Sequence, residues 1–162
     1  MRTDPRAAQM TATPPGKACG HGITVTAVEL LKDTGSDSPG RAVVVLVAHG
    51  SRAAAANQAH RELAAALDQV VAPSVVGAFM ELAEPSVGDA VATAAREGAT
   101  TVAVLPYFLH PGRHQELDIP RLVADAAELF PDVSIGLLEA FGADPAVVEL
   151  LAAQVSRGLP ES

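Results

Sequence analysis

From residue 41 onward, short apolar runs alternate with longer stretches of helical period. AVVVLVA (42–48) is a continuous apolar run suited to a strand buried on both faces, and SVVGAFM (74–80), TVAVLPYFL (101–109) and VSIGLLEAF (133–141) are expected to be the next three strands. Ser51 is expected to cap the helix AAAANQAHRELAAALDQVV, in which Ala59, Leu63, Ala66, Leu67 and Val70 fall on one face. The helix after the second strand should begin at Pro85, as a first-turn proline, and end near Gly98. Asp118 is placed to cap a helix with Leu122, Val123, Ala126, Leu129 and Phe130 on one side, stopped by Pro131. Asp144-Pro145 then opens a last helix carrying Val147, Val148, Leu151 and Val155. The order βαβαβαβα predicts a doubly wound α/β domain, a parallel sheet of flavodoxin-like kind wrapped by helices.

Residues 1–40 break this pattern. MRTDPRAAQMTATPPGKACGHG is rich in Pro, Gly, Thr and Ala with no periodic apolar face, and KDTGSDSPGR interrupts the chain again after ITVTAVELL. This stretch is expected to be a flexible lead-in, followed by a single domain over 41–162.

Doubly wound sheets bind ligands beyond the carboxyl ends of their strands. The first strand ends in His49-Gly50-Ser51-Arg52; the second in Glu81, with Glu84 before Pro85; the third in His110, Arg113 and His114; the fourth near Glu139 and Phe141. Pro111-Gly112 argues that the two histidines of the third segment lie on a loop and not a helix. Parallel connectivity then brings His49, Glu81 and the loop histidines to one rim. Imidazoles with a carboxylate can bind Co²⁺, Ni²⁺, Zn²⁺ or Fe²⁺, and can accept protons near neutral pH. The glycine turns let backbone approach a flat or bulky ligand, and the helix start after Ser51 offers amide donors to an anion. Plainer roles are expected elsewhere. His60 flanks the apolar face of its helix as a surface residue, Glu84 complements a helix dipole, and Asp118 and Asp144 are caps. Cys19 and His21 lie in the lead-in and are assigned no site.

Composition narrows the function classes. Hydrophobic residues make up 49% but aromatics only 3%, with no Trp, so the core must be built from Ala, Val and Leu. A formal charge of −8 argues against nonspecific nucleic-acid binding, although a few arginines around one pocket can still hold an anionic small molecule. No apolar run approaches the roughly 20 residues of a membrane span, and no basic segment precedes an apolar one at the N-terminus. A single cysteine excludes an internal disulfide and a cysteine-ligated cluster within one chain. These features favour a soluble cytoplasmic protein that binds neither nucleic acid nor membrane.

VLVAHGSR, FMELAEPSVGDAV and LPYFLHPGRHQELDIPRLVADA, in this order and spacing, resemble the sirohydrochlorin cobaltochelatase and ferrochelatase family, the class II chelatases. The likeness covers roughly residues 42 to 157 and is specific because the three motifs occur together. It implies insertion of a divalent metal (Co²⁺, Fe²⁺ or Ni²⁺) into sirohydrochlorin or a related tetrapyrrole, without ATP. His49 and His114 would be the metal-binding, proton-accepting pair, and Glu81 the acidic residue that accompanies them. Ser51, Arg52, His110 and Arg113 would contact the substrate, with the arginines clamping its carboxylates. Some relatives carry an iron–sulfur cluster, which one cysteine cannot supply. The resemblance is to the short single-domain form, which pairs as a homodimer. Two departures stand out: Ala48 replaces a residue often acidic in the iron-inserting branch, and His110 occupies a position not usually histidine. His110 could therefore be a third ligand, a substrate contact or a solvated loop residue. A metal carrier using the same histidines is the main alternative. A histidine phosphatase ranks last, since it needs Arg where Ala48 stands. Ligand softness does not separate Co, Ni and Fe on His and Glu.

Overall fold

A computed structural model describes residues 40–110, 112 and 117–159. Four parallel strands, β1 (Ala42–Ala48), β2 (Ser74–Phe79), β3 (Thr101–Pro106) and β4 (Ser134–Leu137), form one sheet in the order β2-β1-β3-β4. Each is followed by a helix: α1 (Ala54–Asp68), α2 (Val87–Arg96), α3 (Ile119–Leu129) and α4 (Ala146–Gly158). The expected doubly wound α/β architecture is therefore present, and the strand order reverses at β1, which lies between β2 and β3. That reversal opens a crevice at the carboxyl end of the sheet.

The apolar run of β1 sits at the centre of the sheet. Val43, Val45 and Val47 join Val102 and Val104 of β3 in the larger core cluster, closed by Val87, Ala90, Val91 and Ala94 of α2 and by Ile119, Val123 and Ala126 of α3. Successive strand residues point to opposite faces, so Val44 and Leu46 lie on the other side, with Val75, Leu105 and Ala64 and Leu67 of α1. Nearly all of these residues are Val, Ala, Leu or Ile, as the composition requires.

Several element edges differ from the expectation. β3 stops at Pro106 and not at Leu109: Tyr107 N–H still donates to Val47 C=O at 2.8 Å, but Phe108 C=O accepts from Gly142 N–H of a 3-10 turn (Phe141–Ala143), also at 2.8 Å. The same turn shortens β4, expected to reach Phe141, to end at Leu137. Ser51 is not the cap of α1. Ala53 holds that position without a side-chain bond, and the Ser51 hydroxyl accepts from Ala53 N–H at 3.1 Å within the preceding turn. α2 starts at Val87 with Ser86 as its cap, whose hydroxyl accepts from Asp89 N–H at 3.1 Å; Pro85 lies just before it. Asp118 sits at the cap position of α3 without a side-chain capping bond, whereas Asp144 does accept from Ala146 N–H at 2.8 Å.

The buried face of α1 is the largest correction. Asn57, His60 and Ala64 face inward, while Ala59, Leu63, Ala66 and Val70 are exposed. His60 is thus a core residue at 7% exposure and not a surface one. Hydropathy misleads here because both inward polar side chains have backbone partners that remove much of the cost of burial. In α4, Val148, Leu151 and Val155 form the expected periodic face, yet all three are exposed among the described residues.

Candidate functional site at the carboxyl edge of the sheet

The parallel pairing of β1 and β2 continues past their ends. Met80 N–H donates to Ala48 C=O at 2.9 Å and Glu81 N–H to His49 C=O at 3.0 Å, so the two exit loops run side by side. Gly50 makes this possible. Its φ of +94° suits glycine, and a Cβ there would lie 1.8 Å from the Glu81 carbonyl oxygen. The glycine turn thus serves a close approach of the chain to itself, a use that its occurrence after a strand did not disclose. Beyond Glu81 the loop folds back, with Leu82 at a φ of 64° and Phe79 N–H donating to Pro85 C=O at 2.9 Å. This leaves Glu81 on a short projection beside His49.

The two side chains meet: His49 Nε2 lies 3.2 Å from Glu81 Oε1. The other ring nitrogen, Nδ1, is 3.3 Å from the Gly50 carbonyl oxygen. That oxygen can only accept, so Nδ1 is the donor in this bond and Nε2 carries either a second proton or a lone pair. With a lone pair, Nε2 and the carboxylate oxygen would converge as two donors on whatever cation sits between them. At 41% and 54% side-chain exposure the pair is open to solvent, so it accounts for little stability and is accessible to a ligand.

Ser51 is half-buried and held by Asn57, whose amide oxygen accepts from Ser51 N–H at 2.9 Å and whose amide nitrogen donates to Ser51 C=O at 2.7 Å. Arg52 is exposed on the same loop, and His110 is exposed in the bend after β3. Arg113 and His114 lie outside the described residues. Glu84 accepts from Ser86 N–H at 3.1 Å, at the start of α2 as a dipole-complementing carboxylate should. An open hollow of about 410 Å³ adjoins Glu81, lined also by Met80, Asp118, Arg121, Leu122 and Asp125. Arg121 was not singled out from the sequence, since a helix-surface arginine has no local pattern that marks it. At the far side of the rim Tyr107 and Phe141 pack with ring centroids 5.2 Å apart.

An open parallel sheet of this order, with an imidazole and a carboxylate paired at the carboxyl ends of β1 and β2, places the protein among doubly wound α/β proteins that work at the strand ends. The family model CbiX matches residues 43–158, and the chain belongs to that family. It is 42% identical over 106 residues to the chloroplastic sirohydrochlorin ferrochelatase of Arabidopsis thaliana, covering 65% of this chain and 46% of that protein. It is 31% identical over 139 residues to the sirohydrochlorin cobaltochelatase of Methanopyrus kandleri, covering 73% of this chain and 97% of that one. The structure of the sirohydrochlorin chelatase SirB from Bacillus subtilis subspecies spizizenii in complex with cobalt superposes with a TM-score of 0.65 at 29% identity, over 72% of this chain and 50% of SirB. This chain therefore spans about half the length of the Arabidopsis and Bacillus proteins and nearly all of the Methanopyrus one.

Proposed function

We propose that this protein inserts a divalent metal, Co²⁺, Fe²⁺ or Ni²⁺, into sirohydrochlorin or a closely related tetrapyrrole. The observation that carries this reading is the His49–Glu81 pair at the carboxyl ends of β1 and β2, 3.2 Å apart, in a member of the CbiX family. Insertion exchanges two pyrrole N–H protons for one M²⁺, so the site must hold metal loosely and take up two protons. His49 and His114 do both: each binds the incoming ion through a neutral ring nitrogen and, once the ion has passed to the macrocycle, accepts a proton there. Glu81 orients His49 and relays its proton to solvent, which its exposure allows. Arg52 and Arg113 clamp peripheral carboxylates of the macrocycle, with Ser51 and His110 as further substrate contacts. The reaction uses no ATP, and the metal is substrate, not a resident cofactor.

Mixing the protein with sirohydrochlorin and each metal in turn, while following the macrocycle's absorption, tests this directly. A protein-dependent shift to the metallated spectrum is expected with at least one of the three ions. Tight stoichiometric metal binding with no effect on the tetrapyrrole would instead make the chain a metal carrier.

The working unit in this reading is residues 41–162, paired as a homodimer, with the lead-in dispensable. The apolar face of Val148, Leu151 and Val155 on α4, exposed in one chain, favours such pairing. A variant lacking residues 1–38 should run in solution at twice its own mass at tens of micromolar and keep the full chain's insertion rate. A fully active monomer would contradict the pairing, and loss of soluble protein would show that ITVTAVELL belongs to the core.

A further inference from the structure

We propose that Asn57, His60 and Arg61, within two turns of α1, are positioning residues that hold the loops of the metal-insertion site in register. The inference rests on the function proposed above, because it concerns the loops that carry His49, Glu81 and the segment after β3. Each residue grips a different part of that assembly. Asn57, 8% exposed, closes a two-bond clamp on the backbone of Ser51, directly after His49-Gly50. His60 donates through Nε2 to Leu46 C=O of β1 at 3.1 Å. Its ring meets Phe79 at the end of β2 edge-on, centroids 5.1 Å apart, and stacks on Tyr107 at the exit of β3 at 6.2 Å. One buried side chain therefore touches all three strands whose loops bear the proposed ligands. Arg61 reaches the remaining loop: its guanidinium lies 5.1 Å from the centre of the Phe79 ring and donates to Glu84 C=O at 2.8 Å, three residues beyond Glu81.

Packing alone does not account for these choices. Among the described residues, His60 Nδ1 is buried with no hydrogen-bond partner. A phenylalanine would fill the same space without that orphaned acceptor. What a phenylalanine cannot do is bond to Leu46 C=O while touching Phe79 and Tyr107. Gly77 of β2 lies beneath the ring, where a Cβ would be in ordinary contact with the imidazole at 3.5 Å. A buried imidazole that keeps one nitrogen unpartnered among the described residues, and that ties together the strands of the site, is better explained by geometry at the rim than by stability.

The test compares His60→Phe and Arg61→Met with the wild-type full chain, using thermal unfolding, cobalt insertion into sirohydrochlorin, and amide hydrogen exchange of segments 49–52 and 81–86. For His60→Phe the melting temperature should be unchanged or raised, kcat should fall by about 10- to 100-fold, and exchange in both segments should quicken. Arg61→Met, a surface change, should quicken exchange mainly in 81–86 and lower kcat more than KM, with Arg61→Lys recovering part of the rate. Should His60→Phe fail to fold, the two Arg61 variants carry the same comparison. Wild-type exchange and wild-type kcat in folded variants of an active chain would overturn the inference. No insertion by the wild-type chain with any of the metals would overturn the function itself, while faster exchange in the variants would still show what α1 holds.

Discussion

Alanine in place of His49 is expected to lower metal insertion by about 10²- to 10⁴-fold, the range for removing a positioned acid–base group, because ligand and proton acceptor are lost together. Its effect on stability should be small. His49 sits on a rim loop with its side chain 41% exposed, where it meets Glu81 and the neighbouring Gly50 carbonyl. A variant that melts like the wild type yet fails to metallate sirohydrochlorin therefore separates chemistry from folding. His114→Ala should match it, since the resemblance assigns the second metal-binding imidazole to that position. His110→Ala should have a clearly smaller effect, because His110 stands outside the shared motif. The decisive measurement runs the two loop variants in one assay. An inactive His110 variant beside an active His114 variant would reverse the assignment within the loop.

A second large effect is expected from Gly50→Ala, through the backbone. At a φ of +94° any side chain is strained, at about 1–3 kcal/mol, and here the added methyl would also sit 1.8 Å from the Glu81 carbonyl oxygen. Rotamer changes cannot relieve that overlap, because both partners are fixed by the chain. The loops after β1 and β2 must move apart, breaking the Glu81 N–H to His49 C=O bond and carrying Glu81 away from the imidazole. Gly50→Ala should thus lose both stability, seen as an earlier denaturant midpoint, and insertion activity. Unchanged values for both would mean that the two loops do not approach this closely in solution.

The contrast between these two residues shows what could be read from the chain. His49 is conspicuous in the sequence because it directly follows a buried strand and its motif occurs together with two others. Gly50 was legible as a turn, but not as the residue that lets Glu81 approach. The same division runs through α1. Its helical period was plain, yet the inward face was misplaced: hydropathy ranks Leu63 and Ala66 above Asn57 and His60, and no local rule foresees that Ser51 and Leu46 offer backbone partners to the latter two. Arg61 had no signal at all, since its partners Phe79 and Glu84 belong to the next strand and loop.

By itself the sequence determined the alternation of strand and helix, hence a parallel sheet, and the rim of that sheet at which His49 and Glu81 emerge. Those follow from periodicity and from the short reach of each connection, which are local properties. Tertiary structure alone decided that β1 lies between β2 and β3, that β3 and β4 end early near the 3-10 turn, and that His49 and Glu81, expected at one rim, come within 3.2 Å of each other. Each of these depends on backbone groups from distant segments finding one another. A hydrogen bond between remote carbonyls and amides leaves no mark on side-chain identity, so it becomes visible only once the chain is folded.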